Sequence, residues 1–170
     1  MIPAALDVRN YQADGFQQVC RVVNCSLSGG WNYADIDMTV MYSDHKSWVY
    51  FIVVGFYIVK VGETGNPLGI KSRSYLDHLG WQPITGTQSR LGRYRRGDGT
   101  DQYVRDSLRS RTRDQQVSIW ARKCQTLELP ITIQGQQRVV QVSMHKHLET
   151  DILKHMLAQG QWPELNKAMK

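Results

Sequence analysis

No hydrophobic run in this chain is long enough to span a bilayer; the most apolar stretch, Val49 to Val59, is short and interrupted by Gly55. No membrane role is indicated. The N-terminal Met1-Ile2-Pro3-Ala4-Ala5-Leu6-Asp7 lacks a basic segment followed by an apolar one, so no secretory signal is expected. Cysteine is scarce. Cys20, Cys25 and Cys124 cannot all pair, and no CxxC or histidine-rich stretch supplies a zinc site, so they read as reduced, packed thiols of an intracellular protein. Repeats and low-complexity tracts are absent. Acidic residues are also in deficit, 15 against 21 Lys and Arg, which leaves a net charge of +6 on 170 residues. A chain of this size and hydrophobic content folds as a single domain, 1–170, around its own core.

The positive excess is concentrated in one place. Between Arg90 and Lys123, nine arginines and one lysine face four aspartates, so about a fifth of the chain carries the whole +6. The planar fork of arginine suits phosphate oxygens and guanine edges. Tyr94 and Tyr103, among the arginines, are suited to stack on bases or sugars, which favours a nucleic-acid surface over a merely solvated basic face. Arg93, Arg95, Arg96, Arg105 and Arg109, with Arg73 and His147 outside the run, are the candidate DNA contacts.

Residues 1–46 read as an N-terminal accessory region and 47–170 as a core with insertions at 64–88 and 126–144. Phe16, Val19, Cys20 and Val23 recur at helical spacing, so a short helix capped by Asp14 is expected through Cys25. Ile36, Met38, Val40 and Tyr42 alternate with polar residues and predict a half-exposed strand, on which Asp35 and Asp37 face solvent rather than a metal. Residues 48–54 and 57–62 are apolar on both faces and read as central strands. A third strand is expected over Val117–Cys124. Leu127–Ile133 and Arg138–Met144 read as an appended hairpin around Gln134-Gly135-Gln136-Gln137. Helical segments are expected at Ser72–Leu79, Ser89–Tyr94 and Thr100–Arg109.

His147–Ala158 is the clearest helix. At roughly 100° per residue, Leu148, Ile152, Leu153, Met156 and Leu157 form one apolar stripe, with Glu149 projecting into its middle. An ionised carboxylate there loses hydration unless it is protonated, paired or bound to a cation. A second anomaly lies in the first hairpin, where Tyr50 and Lys60 interrupt a packing surface.

In this pattern the chain resembles the GIY-YIG nuclease superfamily, and its type II restriction branch in particular. The signature triplets correspond to Trp48-Val49-Tyr50 and Lys60-Val61-Gly62, the latter followed by Glu63-Thr64. Arg90-Leu91-Gly92-Arg93-Tyr94 resembles the family's arginine helix, Glu149 its metal-binding glutamate, and Pro163-Glu164-Leu165-Asn166 its closing motif. The motifs run in order from about residue 48 to 167. Trp48 stands where the family has glycine, and Lys60 where it has tyrosine, as in some restriction-type members. Arg73 is the rival to Arg90, which Tyr94 follows at one helical turn.

The resemblance implies an α/β (α+β) fold, a small central, mainly antiparallel sheet flanked by helices, with the extra hairpin and the accessory region added. It implies a sequence-specific endonuclease that hydrolyses phosphodiesters of double-stranded DNA with one Mg²⁺ or Mn²⁺ held by Glu149. Arg90 would stabilise charge on the phosphate, Tyr94 would support the water or phosphate, and Asn166 would order the site. Either Tyr50 or Lys60 takes the proton from water. A homodimer or higher assembly, in a prokaryotic or phage cytoplasm, completes the expectation. A structure-selective or homing-type nuclease and a noncatalytic nucleic-acid-binding protein on a decayed nuclease fold are the alternatives.

Geometry supplies a condition. A two-residue turn at Gly55-Phe56 in a regular hairpin puts Tyr50 and Lys60 on opposite faces, so an odd loop, Val54-Gly55-Phe56, or a bulge is required; the odd loop is expected. Glu63 and Thr64 are placed either in the water network or at the loop exit. His145 and His147 form a His-x-His pair ahead of the helix, more suited to solvent or phosphate contact than to metal.

Overall fold

The computed structural model describes residues 2–25, 30–35, 37–41, 47–65 and 116–166. Their centre is a five-stranded, wholly antiparallel sheet: β1 (Gln17–Cys25), β2 (Gly30–Ala34), β3 (Trp48–Val54), β4 (Tyr57–Thr64) and β5 (Val117–Lys123), in the order β2-β1-β5-β3-β4. Every residue of β3 is buried, and alternation sends its side chains into two cores. Trp48, Tyr50, Ile52 and Val54 enter one, with Val117, Ile119 and Leu165. Val49, Phe51 and Val53 enter the other, which the N-terminal segment and a helix cover. Both faces of the hairpin are therefore dry, as its composition requires.

The expected helix near Asp14 is instead strand β1. The physical reason is a bulge between Gln18 and Cys20, which leaves Val19 without a partner on β5 and turns Val19 and Cys20 into the same core. Two adjacent buried side chains break the strand's period of two and mimic a helical spacing. The expected strand over 36–42 also fails: Met38–Met41 form a single helical turn, α1. Asp37 dictates this by accepting hydrogen bonds from the backbone N–H groups of Thr39 (2.9 Å) and Val40 (3.2 Å). Asp35 pairs with Arg21 at the surface.

The N-terminal chain forms two short 3-10 turns, Ala4–Leu6 and Val8–Tyr11. Ala5, Leu6, Val8 and Tyr11 are buried, and the Tyr11 and Phe16 rings pack on Phe51. Burial, reinforced by Asp14, pushes the Tyr11 phenol up to about 12, while its hydroxyl donates to the Ala5 carbonyl at 2.9 Å. Cys20 and Cys124 are buried thiols in different cores, the first pushed up to about 12 by burial.

Strands β6 (Thr126–Ile133) and β7 (Gln136–Ser143) form the appended hairpin as a separate two-stranded ribbon. Its turn is two residues, Gln134 and Gly135, with φ of 51° and 76°, rather than the four expected. One ribbon face carries Leu127, Leu129, Ile131 and Ile133 opposite Val142, Val140, Arg138 and Gln136, and much of it is exposed. Helix α2 (His145–Ala158) begins two residues before the expected start. Ile152, Leu153 and Met156 are buried against the second core, whereas Leu157 faces solvent and is not part of the stripe. Full burial of such side chains contributes about 1.5–3 kcal/mol each. Gly160, at φ 67°, ends the helix and returns the chain toward β4. No helix among the described residues is long and apolar enough to cross a membrane.

Candidate active site at the β4 edge

The hairpin condition is met by the bulge and not by the odd loop. Gly55-Phe56 is a two-residue turn with Val54 opposite Tyr57, and the register shifts between Ile52 and Val53, so β4 carries the extra residue Val59. Beyond the bulge Ile52 faces Lys60 and Tyr50 faces Gly62. Tyr50 and Lys60 therefore lie on one face, diagonal neighbours across the two strands. The Tyr50 ring crosses directly over Gly62. A Cβ at that position would stand 2.5 Å from the phenol oxygen, which explains the glycine on steric grounds rather than by its flexibility.

Asn166 acts on the outer side of the same strand. Its Oδ1 accepts from the Val61 N–H at 2.8 Å and its Nδ2 donates to the Val61 carbonyl at 2.8 Å. The Leu165 N–H adds a bond to the Val59 carbonyl at 2.9 Å. The closing segment thus satisfies the backbone of β4, the outermost strand of the described sheet, on either side of Lys60. Trp162 secures it by donating from Nε1 to the Asn166 carbonyl at 3.1 Å.

Glu149 stands on α2, half-buried, over the face opposite Tyr50. Burial first, then the nearby Glu63 carboxylate, pushes its carboxyl up to about 7, against the opposing pull of Lys60 and Lys146. Lys60 and Glu149 are thus within electrostatic reach of each other although the hairpin register assigns Lys60 to the Tyr50 face. The structure thus brings Tyr50 and Lys60 to one face of the hairpin and places Glu149 over the other.

A further arrangement was not foreseen. His145, expected near solvent ahead of the helix, is buried in its first turn. Its Nε2 lies 3.2 Å from Glu63 Oε2, and its Nδ1 lies 3.0 Å from Oγ of the buried Ser47. Gly65 admits the ring, since a Cβ there would come within 2.7 Å of it. The available signal was spacing: His145 precedes Glu149 by one turn, and a residue on that helix face was bound to meet the end of β4. His147 is exposed on the helix. Arg73, Arg90, Arg93, Tyr94, Arg95, Arg96, Arg105 and Arg109 lie outside the described residues, as do the helical segments expected there.

Among the described residues, no three His, Cys, Asp or Glu side chains gather as a metal cage. Glu149 with Glu63 nearby is the donor chemistry of a hard cation that keeps most of its waters and takes one or two carboxylates, not that of zinc.

No protein-family model and no curated protein matches the sequence. Its fold does resemble solved structures. The fold is similar to that of bacteriophage T4 EndoII. That structure, of a mutant, aligns with a TM-score of 0.59 over 92% of this chain and 97% of its own, at 13% identity. The restriction endonuclease HPY188I, solved in complex with product DNA, aligns over 96% of this chain and 87% of its own, with a TM-score of 0.49 and 19% identity.

Proposed function

We propose that this chain is a metal-dependent endonuclease of double-stranded DNA, of the GIY-YIG type and restriction branch. The observation that carries the reading is Glu149: a carboxylate on an otherwise packed helix face, disfavoured as an anion there, beside a lysine that shares its other face with Tyr50. Such a group is costly in a merely structural role and fitted to hold a cation. The EndoII-like fold and the arginine-rich stretch agree with a nuclease.

Glu149 would hold Mg²⁺ or Mn²⁺, which when bound supplies charge neutralisation at the scissile phosphate and its departing oxygen. Lys60, half-buried beside the bulge and electrostatically coupled to Glu149, takes the proton from water. Tyr50, buried on the face opposite Glu149 and packed over Gly62, holds the strand segment that carries Lys60. Asn166 is a positioning residue that holds the Val61 peptide and so the strand segment carrying Lys60. Arg90, with Arg73 as its rival, would balance charge on the phosphate, with Tyr94 beside it. Arg93, Arg95, Arg96, Arg105, Arg109 and His147 would contact the DNA. One site per chain requires two copies to cut both strands, and the nearly uncharged, aliphatic face of the β6–β7 ribbon suits contact with protein better than with phosphates.

Plasmid digestion tests the restriction reading. Linear fragments of fixed size support it, and random nicking supports a structure-selective nuclease instead.

A further inference from the structure

The chain Ser47–His145–Glu63 shares only Glu63 with the groups named above, and it joins the two elements on which Lys60 and Glu149 stand. We propose that this chain, one hydrogen bond to Ser47 and one ion-pair contact to Glu63, is the positioning element of the carboxylate site, pinning the first turn of α2 to the end of β4 and so fixing Glu149 relative to Lys60. The inference rests on the reading of Glu149 as the cation-holding residue.

Three observations carry it. The imidazole is held at both nitrogens, 3.0 Å from Ser47 Oγ and 3.2 Å from Glu63 Oε2, so its ring plane and its helix are both fixed. Gly65 leaves room for that ring at 2.7 Å, a fit that any larger residue would block. His145 and Glu149 are four residues apart in α2, on one helix face, so a shift of the first turn moves Glu149 with it. Glu63 is also the anion that raises the Glu149 carboxyl, which agrees with a shared neighbourhood. No side-chain cap holds the N-terminus of α2, and the Met144 N–H, which donates to the Gln125 carbonyl at 3.1 Å, ties it to the segment after β5 and not to β4.

The test compares wild type with His145→Ala, His145→Gln and Ser47→Ala by Mn²⁺ titration calorimetry without DNA, beside thermal melts and steady-state cleavage. The expected result is Mn²⁺ binding weakened about tenfold in His145→Ala, in line with the loss of an outer-shell partner at a metal site. Ser47→Ala, the milder change, weakens it less, and His145→Gln, whose amide still reaches Glu63, recovers most of the affinity. Cleavage falls through kcat and the Mn²⁺ requirement rises, with KM for DNA unchanged. Unaltered Mn²⁺ affinity in both His145→Ala and Ser47→Ala, with only a lowered melting temperature, overturns the inference and leaves Glu149 as proposed. Wild-type protein that takes up no Mn²⁺ overturns both.

Discussion

Replacing Glu149 by glutamine should make the metal-free protein more stable at alkaline pH, not less. The carboxyl ordinarily titrates at 4.5 and is held up to about 7 in the fold. At about 1.4 kcal/mol per pH unit this disfavours the folded anion by about 3 kcal/mol, reduced to about 2 kcal/mol by the solvent that reaches a half-buried group. The sign follows from proton counting. Between pH 4.5 and 7 the folded chain holds a proton that the unfolded chain has released, so stability from this group is complete below pH 4.5 and is lost as pH rises to about 7. Glutamine keeps the neutral shape and does not titrate. Thermal or urea unfolding in EDTA from pH 5 to 8 should therefore give Glu149→Gln a lead that grows with pH to about 2 kcal/mol, or roughly 4–8 °C in a domain of this size. Titrating groups not coupled to Glu149 cancel in the difference. Excess Mg²⁺ or Mn²⁺ at pH 8 should raise the wild type and leave the variant unmoved. A lead independent of pH, or a variant less stable than wild type at pH 8, would refute the reasoning.

Gly62→Ala should cost about 1–3 kcal/mol, because its Cβ enters the space of the Tyr50 ring, and the cost should shrink in a Tyr50→Ala background; a double-mutant cycle by urea unfolding reads the coupling. Asn166→Ala leaves the Val61 N–H and carbonyl without their side-chain partner, so a loss of about 1–3 kcal/mol and faster hydrogen exchange at Val61 are expected. Lys60→Met removes a charge that lowers the Glu149 carboxyl, so its titration, followed by carbon NMR of labelled glutamate, should move above pH 7. If the chain dimerises through the ribbon as proposed, Leu129→Lys with Val140→Lys should shift its sedimentation toward monomer while leaving the melting temperature nearly unchanged, since both side chains are exposed on the ribbon.

The elements that followed one physical rule were legible. The β3–β4 hairpin and β5 are runs buried on both faces, the ribbon alternates cleanly, and α2 has a 3.6-residue stripe. What escaped were places where one residue overrides the pattern. Val19 in its bulge made a strand look helical, and Asp37 capped a turn inside an alternating sequence. The bulge at Val59 decided the face of Lys60, and only an odd count between Tyr50 and a shared face hinted at it. At the candidate site, the environment of Glu149 was readable from helix geometry alone. The clasp of Asn166 on Val61 was not, because it depends on contacts 105 residues apart. Nor was the pairing of His145 with Ser47, 98 residues away, readable before the chain folds back on itself.

The central claim is that Glu149 holds the cation on which strand cleavage depends. Supercoiled plasmid incubated with wild type and with Glu149→Gln across a Mg²⁺ and Mn²⁺ series, with the variant's fold verified by its melt, addresses it directly. The account predicts cation-dependent cleavage by the wild type and none by the equally folded variant. Cleavage by the variant at the wild-type rate, or an inert wild type under both metals, would contradict it.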